Sequence, residues 1–379
     1  MGGMMRFSLF LSVWLLVPFF GFAQEAEEGP RDLARRFEGT LGKNLGITLL
    51  LAEREREDGS LDYLAAYHYH RNGVPITLAE DEGGEGLRFR EVAGYRDGGE
   101  ERITGRWSIV WDEGTITGTW TSADGKKKLP IALKESYPAG SVRVEQVKLD
   151  FSCTEQTGGR RSGHQRDLML LRVPEKGAKT LNSKLALLAR DAVDEERKLA
   201  PTAEAIAQHL RAQARAPIDA ESPYVSSRSE DFQVRMNEGG FLTVEHASYA
   251  YEGGAHGNYA SVFHTLEIES GREVKLAELV QPGFEKKWAA LGAAELRKTY
   301  GLGADASLKE AGMFEDELEL TENWFLVPGG IGFHYSPYEI GPYAMGSIEF
   351  VLPWKDILAE LKPDTKVHAT ATQMAATQQ

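Results

Sequence analysis

The chain of 379 residues carries 57 acidic against 43 basic side chains, a formal charge of -14, and 42% of it is apolar. That apolar share provides for two or three domains, each with a buried core. The acidic balance excludes a sequence-independent grip on nucleic acid or anionic lipid, which needs a basic surface.

The opening "MGGMMRFSLFLSVWLLVPFFGFAQEAEEGP" sets Arg6 before an apolar run from Phe7 to Phe22, with small residues Gly21 and Ala23 at its end. This is the pattern of a secretory signal peptide over residues 1–23. The run is short for the roughly 20 residues of a membrane span, contains Pro18, and is followed by Glu25, Glu27 and Glu28. A periplasmic or secreted location is expected, without a span after cleavage. Cys153 is the single cysteine, so no internal disulfide forms. Its neighbours supply no activating His or resolving thiol, and a buried or inert side chain is expected.

Residues 31–137 alternate short apolar runs with glycine-rich turns, as in a small antiparallel β-domain closed into a barrel or a two-sheet sandwich. Asn72-Gly73 and Asp124-Gly125 are hairpin signals, because both dipeptides tolerate the positive φ values of tight turns. Tyr67, His68, Tyr69 and His70 place two tyrosines on one face of a strand and two histidines on the other. Pro138-Ala139-Gly140-Ser141 marks a boundary.

Residues 142–230 read as an α+β unit: a strand from Val142 to Phe151, the polar loop "TEQTGGRRSGHQRD", the strand "LMLLRVP", and two helices between Thr180 and Ala214 separated at Pro201. Residues 231–361 read as a second α+β unit. It opens with a hairpin near Asn237 to Gly240, has a helix from Phe284 to Tyr300, and ends with strands at Trp324–Val327, Ile331–Tyr335 and Ser347–Leu352. Pro353 suits the first turn of a last short helix. The tail at residues 362–379, rich in Ala, Thr and Gln, lacks apolar periodicity and is expected to be disordered. The fold class expected is mainly β plus α+β, with helices packed on a mixed or antiparallel sheet.

Two stretches of the last third, "YEGGAHGN" followed by "SGREVKLAELV", and "FHYSPYEIGPYAMGSIEFVLPW", resemble the RsiV-like domain family of bacterial envelope proteins across about Phe232 to Leu361. The preceding part, about Val142 to Tyr224, is similar to the companion domain shared by deacetylase-associated and RsiV-like proteins, with Pro174, Leu181 and Asn182 carrying the match. The resemblance implies a tandem module on the outer side of a membrane. In some relatives that module binds a lysozyme-type muramidase and controls an anti-sigma factor; in others it precedes a glycan deacetylase.

Candidate sites follow from residue chemistry. His246, His256 and His264 lie ten and eight residues apart, unlike the paired spacing of a zinc helix, so no metal or cofactor is expected. His256 stands among Gly253, Gly254 and Gly257, where glycines permit a sharp connection between strands and the imidazole fixes the bend. Glu252 could orient His256 as a general base, which defines the alternative, a peptidoglycan-active hydrolase or deacetylase. "YSPYEIGPYAMG" is the stronger candidate for partner contact. Pro337 and Pro342 restrict the backbone, so Tyr338, Ile340 and Tyr343 would lose little entropy on docking. The function expected is an exported, non-catalytic binding protein of the envelope that recognises a cell-wall glycan or a lysozyme-like protein, through Pro337, Tyr338, Ile340, Tyr343, Tyr251 and His256.

Overall fold

A computed structural model describes residues 30–55, 61–81, 86–95, 100–157, 160–218 and 224–376. The expected signal peptide lies outside the described residues. The first eight strands run β1 (Pro30–Leu41), β2 (Leu45–Glu55), β3 (Leu61–Tyr69), β4 (Ile76–Glu80), β5 (Leu87–Tyr95), β6 (Glu101–Asp112), β7 (Thr115–Ser122) and β8 (Lys128–Glu135). Each pairs antiparallel with the next, and β1 also pairs with β8, so the expected β-domain is a closed eight-stranded barrel. Closure removes the sheet edges that such short strands would otherwise expose.

Alternation fills the barrel. On β6, Gly105, Trp107 and Ile109 are buried while their neighbours face solvent. Phe37, Ile47, Leu49, Tyr67, Phe89, Ile116 and Ile131 complete the interior. Tyr67 points into it, and the rings of His68 and His70 occupy the other face of β3, as the sequence pattern predicts.

Strand β1 has twelve residues, and it serves two neighbours. Its second half pairs with β8 and its first residues pair with β9 (Val144–Thr157), so the sheet continues past the turn at 138–141. Beyond β9 come β10 (Arg160–Arg172), then helices α1 (Lys179–Val193) and α2 (Ala203–Ala214), then β11 (Val225–Glu238), β12 (Phe241–Tyr251) and β13 (Asn258–Glu267). β10 and β11 are parallel, joined by the two helices; the other pairs are antiparallel. The boundary expected at residue 230 falls inside β11.

Residues 154–157 and 160–167 of "TEQTGGRRSGHQRD" are not a loop. They form the far ends of β9 and β10, where His164 opposes Cys153 and Arg166 opposes Phe151 in an unbroken ladder. Backbone pairing sets the register regardless of side-chain polarity, and apolar periodicity could not report it. Cys153 is half-buried and free.

Leu181, Leu185, Leu188, Ile206 and Leu210 cover one face of this sheet, as the helical period predicts. The opposite face receives a three-stranded sheet of β14 (Trp324–Val327), β15 (Gly330–Tyr335) and β16 (Ile348–Pro353). Every residue of β14 and β15 is buried. Between β13 and β14 stand α3 (Leu276–Leu279) and α4 (Glu285–Thr299); α4 closes the outer side of β16, with Gly292 against the Phe350 ring. After β16 comes α5 (Trp354–Ile357).

The tail expected to be disordered carries a helix, α6 (Lys366–Ala375). Val367, Ala371 and Ala375 are buried at four-residue spacing, and the Thr365 hydroxyl accepts the His368 N–H at 3.1 Å as an N-cap. Alanine favours the helix and needs little volume to pack, so a stripe of small residues gives almost no apolar signal.

Candidate functional site

The hairpin between β12 and β13 brings "YEGGAHGNY" to one end of the sheet. Gly253 and Gly254 have φ values of 95° and 103°, and a Cβ on Gly257 would lie 2.4 Å from the Tyr249 ring. These backbone demands make the stretch a bend, as the glycines suggest. Beside it sits the connection from β15 to β16, residues 336–347.

The Gly257 carbonyl joins the two segments. It accepts the Tyr343 hydroxyl at 2.8 Å and the His256 Nδ1–H at 2.9 Å. The His256 ring stacks on Tyr343 with centroids 4.1 Å apart, and Tyr259 meets Tyr343 edge-on at 5.5 Å. Tyr338 lies over the same ring at 5.9 Å. Three expected contact residues, Tyr338, Tyr343 and His256, therefore form one cluster. Tyr343 is half-buried in it, whereas Tyr338 is 57% exposed and His256 is also exposed.

The other three are placed differently. Pro337 is half-buried beside Tyr338. Ile340 is half-buried and packs against the core under β15 and β16. Tyr251 belongs to the far side of the bend, edge-on to Tyr224 at 5.9 Å, with its hydroxyl on the Gly254 carbonyl at 3.2 Å.

Tyr338 is one of three described non-glycine residues with positive φ, at 73°. A left-handed conformation is costly for a bulky residue and persists only where surrounding bonds impose it. Here the Tyr338 N–H donates to the Gly341 carbonyl at 2.9 Å, the Glu339 N–H to the Ser336 carbonyl at 3.1 Å, and the Ser336 N–H to the Glu339 carboxylate at 2.7 Å.

Glu252 and His256 are not brought together: Glu252 pairs with Arg228 at 3.1 Å. His246 and His264 each have their own carboxylate. His246 bonds Glu230 at 2.7 Å and His264 bonds Glu273 at 2.9 Å. Among the described residues no group of three or more His, Cys, Asp or Glu side chains is arranged to hold a metal ion.

Behind the cluster, a polar network ties the layers. Arg235 on β11 bonds Glu245, and Glu349 at 3.0 Å; Glu349 accepts His334 Nδ1 at 2.8 Å, and Glu245 accepts Ser261 Oγ at 2.6 Å. Burial pushes the Glu349 pKa upward, yet Arg235 and His334 outweigh it and hold the carboxyl at about 2. The edge of β13 is covered by side chains. Asn323 accepts the Phe263 N–H at 3.0 Å and donates to the Ser261 carbonyl at 2.7 Å. The cluster therefore rests on a rigid support.

Residues 276–355 match the family described as "Protein of unknown function (DUF3298)". Two solved structures of that family resemble the chain. One, from Bacteroides fragilis NCTC 9343, is 18% identical with a TM-score of 0.51, covering 62% of this chain and 99% of its own. The other, from Pseudomonas aeruginosa PAO1, is 20% identical with a TM-score of 0.44, covering 59% and 95%. No curated protein matches the chain. The first likeness supports the fold, and the matched segment 276–355 contains the Tyr338 connection.

Two residues of this surface are not evident from sequence: Tyr259, which completes the ring cluster, and Phe314, which is 45% exposed in the acidic run "GMFEDELEL". A lone aromatic residue among carboxylates was the available signal for Phe314. Tyr259 carried none beyond alternation with Ser261 and Phe263.

Proposed function

We propose that the protein is an exported, non-catalytic binding protein of the bacterial envelope, whose RsiV-like C-terminal module docks a lysozyme-like protein or a cell-wall glycan. The observation that carries this reading is the Tyr338 ring, exposed to solvent on a backbone held at positive φ. Strain of that kind collects where a surface must keep one shape. A tyrosine fixed in place offers wide amphipathic contact at low entropic cost, as anchors of interfaces do. His256 and Tyr343 continue the platform beneath it.

The chemistry beside the platform favours binding over turnover. The carboxylate nearest His256 in sequence, Glu252, is engaged with Arg228. The acidic chain also suits a basic protein partner by charge. The test is fluorescence anisotropy of labelled exported chain titrated with lysozyme and with soluble peptidoglycan fragments, beside Tyr338→Ala. Saturable binding that the substitution weakens at least tenfold supports the reading; binding indifferent to Tyr338, or none, removes it.

A further inference from the structure

On the other side of the Tyr338 connection the segments 308–321 and 335–340 enclose a groove of about 830 Å³. That volume lies within the range of pockets that bury drug-sized ligands, enough for a few side chains of a peptide. Its floor is apolar, from buried Leu308, Met313 and Tyr335 and half-buried Leu318. Its walls carry Glu315, Asp316, Glu317, Glu319 and Glu339, and among the described residues no Lys, Arg or His lines it.

Some of these acids are occupied. Glu315 pairs with Lys309 at 2.8 Å, Asp316 accepts the Ser307 hydroxyl at 2.5 Å, and Glu339 caps Ser336. The Glu317 and Glu319 side chains have no hydrogen-bond or ion-pair partner among the described residues. Like charges gathered round an apolar floor repel one another, and a cation seated between them relieves that repulsion.

The groove and the aromatic platform share a wall. The Phe314 N–H donates to the Ile340 carbonyl at 3.0 Å, which ties the acidic run to the Tyr338 connection. Phe314 and Tyr338, two of the few large apolar side chains exposed among the described residues, thus flank Glu339 and Ile340 on one continuous surface.

We propose that this groove seats a cationic, amphipathic peptide segment of a protein partner. Aliphatic side chains of the segment would lie on the floor and against Phe314, and its Lys or Arg heads would meet Glu317 and Glu319. The proposal rests on the docking role of Tyr338 and goes further by choosing between the two partner classes. A neutral glycan offers no charge to the Glu317 and Glu319 carboxylates, whereas a basic protein segment does.

The experiment is calorimetry of the exported chain with an amidated peptide of about five residues alternating Lys and Leu, sized to the groove, and with a Glu-Leu counterpart, at low and physiological salt. The Lys-Leu peptide is expected to bind and the Glu-Leu peptide to give no heat. The double variant Glu317→Gln, Glu319→Gln should weaken binding about three- to tenfold, chiefly at low salt, because exposed charge pairs are individually weak and screened. Phe314→Ala should weaken it by about fivefold at both salt levels, since burial of apolar area is not screened. All three side chains are exposed, and circular dichroism verifies that the variants stay folded. Equal heats from the two peptides, no heat at low salt, or affinity unchanged in both variants would overturn the proposal. If lysozyme binds through Tyr338 while the Lys-Leu peptide does not, only the groove proposal falls. If the peptide binds through Glu317 and Phe314 while Tyr338→Ala alters nothing, the docking reading falls and the groove stands.

Discussion

Inside the barrel, the Glu91 carboxylate is 3% exposed, and no ion pair accompanies it among the described residues. One oxygen accepts the Tyr67 hydroxyl at 2.7 Å, the Trp107 indole N–H at 2.9 Å and the Trp120 indole N–H at 2.5 Å; the other accepts the Thr104 hydroxyl at 3.0 Å. Its partner residue across the strands is Gly105, where a Cβ would collide with the Trp120 indole at 2.3 Å. Glu91→Leu removes the common acceptor and strands the Trp107 and Trp120 indole N–H groups, while the Tyr67 hydroxyl keeps only the Tyr69 hydroxyl at 3.3 Å. Each buried donor so stranded costs about 1–3 kcal/mol, and the relief of a buried charge offsets part of the sum, for a net loss of about 2–4 kcal/mol. Glu91→Gln keeps one acceptor but loses the charge assistance, for about 1–3 kcal/mol. Urea unfolding followed by far-ultraviolet circular dichroism measures both. If Glu91→Leu unfolds at the same urea concentration as the parent, the four bonds do not hold the barrel interior and this reasoning is wrong.

Acid stability should report the layer-tying network. Because the folded Glu349 carboxyl is held at about 2, below its unfolded value near 4.5, its contribution is complete above pH ~4.5 and disappears as the pH falls towards 2; Glu349→Gln should remove about 2–3 kcal/mol of the pH dependence in that window, read from unfolding midpoints across it. His68 behaves in the same sense by another cause. Burial, aided by His70 and Arg36, lowers its pKa to about 3, so stability should fall as the pH drops from about 6.5 to 3, and His68→Gln should flatten that slope. Asn323→Ala should cost about 2 kcal/mol by freeing two backbone groups on the β13 edge, and light scattering should detect self-association there. Stability unchanged and no self-association would show that the edge is protected by something else.

How much of this was legible depended on what each residue type signals. Asn72-Gly73 marks the antiparallel connection from β3 to β4, although only Gly73 of the pair takes a positive φ and the connection is longer than a two-residue turn, and alternation marks the strands because period two is local. Barrel closure was one of two options, since nothing local tells whether β8 returns to β1. The helices α1, α2 and α4 were legible from leucine spacing, whereas α6 was hidden by the small side chains that pack it. The polar ends of β9 and β10 have the composition of a loop, because ladder bonds leave no mark on polarity. At the candidate site, the prolines and tyrosines of 335–346 pick out the connection from β15 to β16, and the glycines of 253–257 mark the bend. Their joining through the Gly257 carbonyl is a long-range fact that spacing could not reveal. The positive φ of Tyr338 was equally hidden, because tyrosine gives no hint of a left-handed backbone.

The central claim is that a fixed aromatic platform binds a partner and carries out no reaction. Calorimetry of the purified protein with lysozyme and with soluble wall fragments, alongside an assay of those fragments for cleavage or deacetylation, tests it most directly. The account predicts a saturable heat with one of them, reduced at least tenfold in Tyr338→Ala, and wall fragments recovered unchanged. Fragments altered by the parent protein but not by His256→Ala, or no heat from either partner, would contradict it.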